Sequence, residues 1–201
     1  MARKGNASLS YHRENLRRDL IEAGLSYVSD HGHDTLSVRT LASLVGVSSG
    51  APYYHFADRR ALLLAVACEG YERLSGSGAD TLRSISDPVE RLIGLSRHFL
   101  AFAHAHPRLF ELMYESELTR PELDPVIKDA QTVGFSLLRD ALAAAIPDVP
   151  EEEFTTRILS AWSMLYGFSS LQNKKILKPY AMSPDVSESV VRLLMTSILS
   201  A

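Results

Sequence analysis

Residues 36–63 contain two short segments with the apolar spacing of helices, separated by a glycine. In the first segment the apolar residues fall on one helix face, at Val38, Leu41, Ala42 and Val45. Gly46 interrupts this spacing, and a second short helix is predicted to begin at Ser48, whose hydroxyl can cap it. Two short helices joined by a tight glycine turn are typical of a helix-turn-helix, which binds double-stranded DNA. The segment therefore predicts a DNA-binding protein.

Polar and small side chains around this turn are the candidate DNA contacts. They are Ser37, Arg39, Thr40, Ser48, Ser49, Gly50, Ala51, Tyr53, Tyr54, His55 and Arg59. Hydroxyl and cationic side chains bind base edges and phosphates, and small residues let the backbone approach the groove floor. His55 and Arg59 are expected to reach the phosphate backbone. Apolar Val47 and Phe56 are instead predicted to be core residues.

The order of residues in this region resembles the TetR family of bacterial transcriptional repressors. The matching residues are Thr40-Leu41-Ala42, Val45-Gly46-Val47-Ser48-Ser49-Gly50, Tyr53-Tyr54-His55-Phe56, Arg59 and Leu62-Leu63. The resemblance covers about the first third of the chain. It implies that Arg39 reaches a base or a phosphate. Two departures stand out, because the family usually has lysine where Arg59 stands and Pro52 is unusual within the second helix.

The same turn also satisfies the Gly-x-Ser-x-Gly pattern of a hydrolase nucleophile, with Ser48 at its centre. That arrangement needs a strand before the serine, whereas the residues before Ser48 have helical spacing. An enzyme or small-molecule carrier remains the alternative of a different class. Neither a nucleophile–base pair nor an acid–base pair appears at a recognisable spacing, so the chain is predicted not to be an enzyme.

The charge is distributed unevenly along the 201 residues, although the net charge is only −3. Residues 1–18 carry five basic side chains against one acidic, whereas the chain from residue 76 onward carries 12 basic and 16 acidic side chains. A basic end beside a helix-turn-helix favours nucleic-acid binding. No apolar run approaches the roughly 20 residues that span a bilayer. We expect a cytoplasmic protein without a membrane segment.

Helical spacing continues along nearly the whole chain, and alternating strand patterns are absent, so the predicted fold class is all-α. The predicted helices cover residues 11–30, the two short helices above, then 58–74, 88–104, 107–117, 121–146, 151–173 and 184–200. Ser75-Gly76-Ser77-Gly78 has the composition of a linker. The predicted domains are therefore a DNA-binding domain over 11–75 and a helical effector-binding and dimerisation domain over 76–201.

The second domain has two predicted tasks, dimerisation and ligand sensing. Helix-turn-helix proteins commonly bind DNA as dimers. Ser163 and Gly167 permit a close approach of helices, so the last two helices are the predicted homodimer interface. The stretch from Ala161 to Phe168, with Pro107 to Tyr114, resembles one type of C-terminal domain in the same family, with a Trp-x-x-x-His/Tyr-Gly helix. The resemblance implies that the last two helices pair with those of a second subunit.

Aromatic and methionine side chains on several helices are candidates for an effector pocket. They are Phe99, Phe102, Phe110, Met113, Tyr114, Phe135, Trp162 and Tyr166. They can equally form a filled core, and a regulator without an effector is the corresponding alternative. The predicted effector is a small apolar or aromatic molecule, because no strongly charged helix face must turn inward.

No metal site or cofactor is predicted. His104 and His106 are two residues apart and so point in different directions on a helix, and His98 has no partner at a metal-binding spacing. The single cysteine, Cys68, lies among apolar residues and is predicted to be a small buried side chain, with redox sensing as the alternative.

Overall fold

The computed structural model describes residues 4–119, 124–177 and 185–200. Within these ranges it contains eight α-helices and two 3₁₀ segments and no strand, which confirms the predicted all-α class. The α-helices are α1 (Lys4–His31), α2 (Val38–Val45), α3 (Arg59–Arg83), α4 (Pro88–Ala105), α5 (Pro107–Tyr114), α6 (Pro125–Ala145), α7 (Glu151–Asn173) and α8 (Val186–Leu199). The 3₁₀ segments are Ala51–Tyr54 and Glu117–Thr119. The predicted helix starts at residues 121 and 184 lie outside the described ranges, as does basic residue Arg3.

Several helix ends coincide with the predicted ones, because each depends on one local interaction. The Asp87 carboxylate accepts a hydrogen bond of 2.8 Å from the Glu90 amide and so caps α4, with Pro88 in the first helical position. Asp58 caps α3 in the same way, through the Ala61 amide at 2.8 Å. Gly32, with a φ of +80°, follows the last residue of α1. The observed α1 is longer than predicted, since it begins at Lys4.

The predicted end of a helix at residue 74 is wrong, because α3 continues through Ser75-Gly76-Ser77-Gly78 to Arg83. Packing explains this continuity. The Ser75 side chain is buried, and a Cβ built on Gly78 would lie 3.4 Å from Leu95 and 3.5 Å from His98 on α4. Contact with α4 outweighs the low helix propensity of glycine and serine. The predicted domain boundary at residue 76 therefore falls inside a helix.

The described residues form two compact units, and each unit combines two separate stretches of the chain. One unit comprises the chain up to Tyr71 together with Arg108–Lys128. The second comprises Glu72–Pro107 and the chain from Asp129 onward. The helix α3 contributes residues to both units. The division of function at residue 76 stays a prediction.

In the first unit, α1 and α3 approach each other closely at Gly24. A Cβ built on Gly24 would lie only 2.7 Å from Cγ2 of Val66, which is fully buried on α3. The surrounding core consists of aliphatic side chains from α1, α2 and α3 and of Phe56, including Leu20, Val28, Leu41, Leu62 and Leu63. The glycine is therefore needed for packing, since its backbone φ is not in the left-handed region.

In the second unit, α4 packs against α7 and α8, and these two helices pack against each other. Arg97 on α4 donates two hydrogen bonds, of 2.8 and 2.6 Å, to the Glu188 carboxylate on α8. These bonds from Arg97 lower the pKa of Glu188 below its ordinary value. Arg157 on α7 donates a 2.7 Å hydrogen bond to the carbonyl of Ile198, near the end of α8. Polar contacts thus fix α8 against both neighbouring helices.

No helix in the described ranges is long and apolar enough to cross a membrane.

Two glycines provide a matched test of these packing arguments. Gly24→Ala should lower the free energy of unfolding by about 1–2 kcal/mol, because overpacking against Val66 outweighs the better helix propensity of alanine. Gly76→Ala is the control, since a Cβ there would meet nothing within 4 Å. It should raise the free energy of unfolding by about 0.5–1 kcal/mol if α3 is continuous at this point. Urea unfolding followed by circular dichroism measures both changes, and a destabilising Gly76→Ala would contradict the continuous helix.

Candidate nucleic-acid interface

The turn after α2 has the geometry expected of its glycine. Gly46 has a φ of 77° and a ψ of 30°, in the left-handed region. Its amide donates to the carbonyl of Ser43 at 3.3 Å, and the Val47 amide donates to the carbonyl of Ala42 at 3.0 Å. This pair of hydrogen bonds is a Schellman motif, which both ends the helix and reverses the chain. The predicted glycine break is confirmed, although Val47 is only half-buried.

The predicted helix beginning at Ser48 is wrong in its start and in its type. Residues 49 and 50 form a turn, and the helical segment that follows is the 3₁₀ segment Ala51–Tyr54. Pro52 supplies the physical reason, because it has no amide hydrogen to donate to the Ser48 carbonyl in an α-helical bond. The Ala51 amide donates to that carbonyl instead, at 3.0 Å, which is the 3₁₀ pattern. Pro52 itself is buried, and its carbonyl accepts hydrogen bonds from two later amides.

Ser37 and Thr40, two predicted DNA contacts, form the cap of α2. The Ser37 hydroxyl accepts a 3.0 Å hydrogen bond from the Thr40 amide. It also lies 2.7 Å from the Thr40 hydroxyl. Both side chains are partly buried. The structure therefore brings these two residues together and gives their hydroxyls a structural role in starting α2.

Most of the other predicted contacts are exposed. Arg39, Ser48, Ser49, Gly50, Tyr53 and Tyr54 are exposed to solvent, and Ala51 and His55 are half-buried. Tyr54 is the extreme case, with 83% of its surface exposed. An exposed phenol can donate a hydrogen bond to DNA while its ring packs on sugar. The 3₁₀ segment packs against α2, so these residues share one small region of the first unit.

Arg59 differs from the other predicted contacts, because its guanidinium bonds to the protein itself. Its Nε donates to the carbonyl of Leu36 at 2.7 Å. Its Nη2 donates to the carbonyls of His33 and Asp34, at 2.7 and 2.9 Å. These three carbonyls all belong to the loop between α1 and α2.

The alternative interpretation of Ser48 as a hydrolase nucleophile does not fit its surroundings. It follows a helix and a left-handed glycine turn, and no strand occurs among the described residues. The nucleophile of that enzyme class stands between a strand and a helix.

The eight predicted effector-lining residues divide between the two units. Phe110, Met113 and Tyr114 belong to the first unit, and the other five belong to the second. In the second unit, Phe99 and Phe135 both contact Trp162, with ring centroids 5.5 and 6.1 Å from it. Phe102 packs against His106 at 4.9 Å, and Tyr166 is half-buried. Phe99, Phe135 and Trp162 are named the tryptophan cluster below.

A buried serine of the second unit escapes sequence reasoning. The hydroxyl of Ser75 is buried and has no hydrogen-bond partner among the described residues. A Cβ built on Gly134 would lie 3.5 Å from this hydroxyl, and Phe135 of the cluster is the next residue. The composition of residues 75–78 suggests a linker, so the sequence gives no signal that this serine is buried. Ser169 on α7 is the second buried serine of this kind.

The histidines and the cysteine show no metal-binding arrangement within the described ranges. His98 bonds to the end of α3, with its Nε2 at 3.1 Å from both the Leu74 carbonyl and the Ser77 hydroxyl. His104 and His106 are exposed, and Cys68 is half-buried rather than buried as predicted.

Two relatives with named functions resemble this chain. The HTH-type transcriptional repressor KstR2 of Mycolicibacterium smegmatis is 26% identical over 135 residues, which are 63% of this chain and 65% of that protein. The HTH-type transcriptional repressor Rv1474c of Mycobacterium tuberculosis is 33% identical over 85 residues, 42% of this chain and 41% of that protein. The chain thus matches less than two thirds of the length of either relative.

A solved structure of a protein of unknown function from Rhodococcus sp. RHA1 has the same fold. It is 28% identical, with a TM-score of 0.78, and the match covers 92% of this chain and 96% of that one. Residues 20–66 match the family described as bacterial regulatory proteins, tetR family. Residues 92–197, more than half of the chain, match the tetracyclin repressor-like C-terminal domain. The chain therefore belongs to the TetR family of bacterial regulatory proteins.

Proposed function

We propose that this protein is a cytoplasmic, ligand-responsive transcriptional repressor that binds duplex DNA through the surface around Gly46. The observation that carries the proposal is the exposure of Arg39, Tyr53 and Tyr54 on either side of a glycine-capped turn. A guanidinium can bind guanine with two hydrogen bonds, and phenolic hydroxyls can bind phosphate while their rings pack on sugar. The repressor names of the two relatives support this direction of regulation.

The 3₁₀ geometry affects how this surface would meet DNA. The segment Ala51–Tyr54 has four residues and makes little more than one helical turn. Its side chains can therefore contact only a short stretch of a DNA groove. The exposed residues before the segment, Ser48 to Gly50, would then lie nearest to the phosphates. A single site of this size covers few base pairs, so specific binding calls for two copies spaced about 34–36 Å apart or a multiple of that distance.

A homodimer through α7 and α8 would supply the second copy. Leu159 on α7 and Leu193 on α8 expose 54% and 62% of their surface. Ser163 on α7 is exposed, and a Cβ on Gly167 would meet nothing within 4 Å. A glycine inside a helix lowers stability by roughly 0.5–1 kcal/mol relative to alanine, and this chain's own packing gives no reason for it. Close approach of a second subunit would supply that reason.

The tryptophan cluster and Ser75 are the parts of the second unit best suited to an effector. An aromatic cluster offers an apolar surface, and the Ser75 hydroxyl offers one buried hydrogen-bonding group in the same unit. Pockets for small molecules combine these two features, with apolar walls and few polar groups. The proposed effector is accordingly an apolar or aromatic molecule that carries a hydrogen-bonding group.

Arg39→Ala tests the DNA-binding proposal. If Arg39 binds guanine with two hydrogen bonds, the change should weaken binding by about 1–3 kcal/mol and relax the preference at one base pair. If it binds phosphate, the weakening should be uniform over all sequences. Competition between variants of a genomic fragment selected by the wild-type protein measures this difference. Arg83→Ala, an exposed arginine of the second unit, is the control. Unchanged binding by Arg39→Ala would exclude this residue as a contact.

Leu193→Glu tests the proposed dimer. A charge in the centre of an apolar interface should raise the dimer dissociation constant roughly tenfold or more. Val133→Glu on α6 is the matched control, because Val133 is similarly exposed, at 55%, and lies outside α7 and α8. Sedimentation equilibrium measures the dissociation constant of each variant. Equal effects of the two substitutions, or no effect of either, would place the interface elsewhere.

Trp162 is the only tryptophan, so its fluorescence can report effector binding. A panel of apolar and aromatic alcohols, acids and esters should include compounds that both quench Trp162 and weaken binding to the selected DNA fragment. Ser75→Ala should weaken such a compound up to about tenfold, through the loss of one hydrogen bond, and should not destabilise the free protein. Ser86→Ala is the exposed control.

Compounds that bind without changing DNA affinity would contradict the regulatory coupling and favour a carrier. A panel without any binder would favour a regulator without an effector.

A further inference from the structure

The side chain of Arg59 is hydrogen-bonded to the loop between α1 and α2. This loop leads into α2, which carries the proposed DNA contact Arg39. Arg59 is the first residue of α3, and its guanidinium contacts three carbonyls of the loop that joins α1 to α2. The donor–acceptor distances of 2.7, 2.7 and 2.9 Å lie in the range of charge-assisted hydrogen bonds. One planar group therefore holds the carbonyls of His33, Asp34 and Leu36 at once.

The loop that Arg59 holds leads directly into α2. Leu36 is fully buried, and its amide donates to the His33 carbonyl at 3.2 Å, so the loop folds back on itself. The next residue, Ser37, caps α2 through the Thr40 amide. Arg39 projects from the first turn of the same helix. A shift of the Leu36 carbonyl would therefore move the cap of α2 and Arg39 with it.

The contact pattern requires arginine in particular. The bonds use both Nε and Nη2, which lie in one plane with fixed angles between their donors. A lysine ammonium is a single point on a flexible stem and cannot reproduce donors at two separated nitrogens. Replacement of Arg59 by lysine would keep the charge and lose this geometry.

We infer that Arg59 is a positioning residue for DNA binding, which fixes α2 and Arg39 through the loop carbonyls instead of neutralising a phosphate. This inference rests on the proposed DNA-binding function. It changes the role expected of a cation at this position, from a contact with the ligand to a contact with the protein backbone. The partial burial of Arg59 supports it, since a phosphate-binding arginine gains most when its donors face outward.

The experiment compares the wild-type protein with Arg59→Lys on a genomic DNA fragment selected by the wild type. Under the proposal, Arg59→Lys loses about tenfold or more in affinity, comparable with the loss of a base contact. A direct phosphate contact predicts instead that lysine keeps the affinity. The control is Arg60→Lys, in which the neighbouring arginine, 3.6 Å from Asp124, changes in the same way. Arg60→Lys should bind as the wild type does.

The dependence of affinity on salt separates the two roles further. Each phosphate contact that is lost flattens the plot of log K against log salt by about 0.9. Arg59→Gln removes the charge and serves as the second variant if Arg59→Lys does not fold. When both proteins carry Arg39→Ala, the slope should be unchanged by Arg59→Gln if Arg59 only positions α2 and Arg39, and should be flatter by about 0.9 per subunit if Arg59 binds phosphate.

Hydrogen exchange of the free protein supplies a readout that does not involve DNA. In Arg59→Lys, the amides of residues 36–40 should exchange faster than in the wild type, because the loop and the cap of α2 loosen. Faster exchange with unchanged DNA affinity would reduce Arg59 to a purely structural residue and overturn the proposal. Retained affinity in Arg59→Lys with a flatter slope in Arg59→Gln would also overturn it. If the wild type binds no DNA fragment even at low salt, the proposed function itself fails, which is a separate outcome.

Discussion

The reversal of the chain at Gly46 depends on a backbone conformation with a φ of 77°, which side chains with a Cβ rarely adopt. The two amide hydrogen bonds at this turn satisfy carbonyls at the end of α2, so the helix end and the reversal form one hydrogen-bonded unit. The exposed residues proposed to meet DNA are attached on either side of it, with Arg39 before the turn and Tyr54 after it. The side chains of Leu41, on α2, and of Phe56, just after the 3₁₀ segment, are buried in the core of the first unit.

Helix ends follow closely from the sequence, because each depends on one nearby donor or on one backbone angle. Asp58 and Asp87 cap helices where the sequence predicts them, and Gly46 ends α2 as expected. The middle of α3 is different. Residues 75–78 have the composition of a linker, and they are helical because Ser75 and Gly78 pack against neighbouring helices. Packing between residues distant in sequence is not visible in a local pattern, so the composition of residues 75–78 does not predict that they are helical.

The candidate site is predictable in position but not in the roles of its residues. A polar residue beside a helix start can turn its side chain to its own backbone or to a ligand, and the sequence does not distinguish the two. Ser37 turns to the Thr40 amide, and Arg59 turns to a loop 23 or more residues away in sequence. The effect of Pro52 was predictable, since the fourth residue after Ser48 has no amide hydrogen for an α-helical bond. The family predicted from the same residues is confirmed.

The continuity of α3 sets a physical condition on any response to an effector. Arg59 and Ser75 lie on the same helix, α3. A ligand at Ser75 would therefore act on the helix whose first residue holds the loop before α2. Such a ligand weakens DNA binding only by the difference between its affinity for the DNA-bound conformation and its affinity for the conformation that does not bind DNA. This difference is typically about 1–3 kcal/mol. One hydrogen bond to the Ser75 hydroxyl supplies about 0.5–1.5 kcal/mol, which reaches only the lower part of that range. Under the proposed function, apolar contact with the tryptophan cluster supplies the remainder, so a small polar molecule should weaken DNA binding less than an apolar one at equal occupancy.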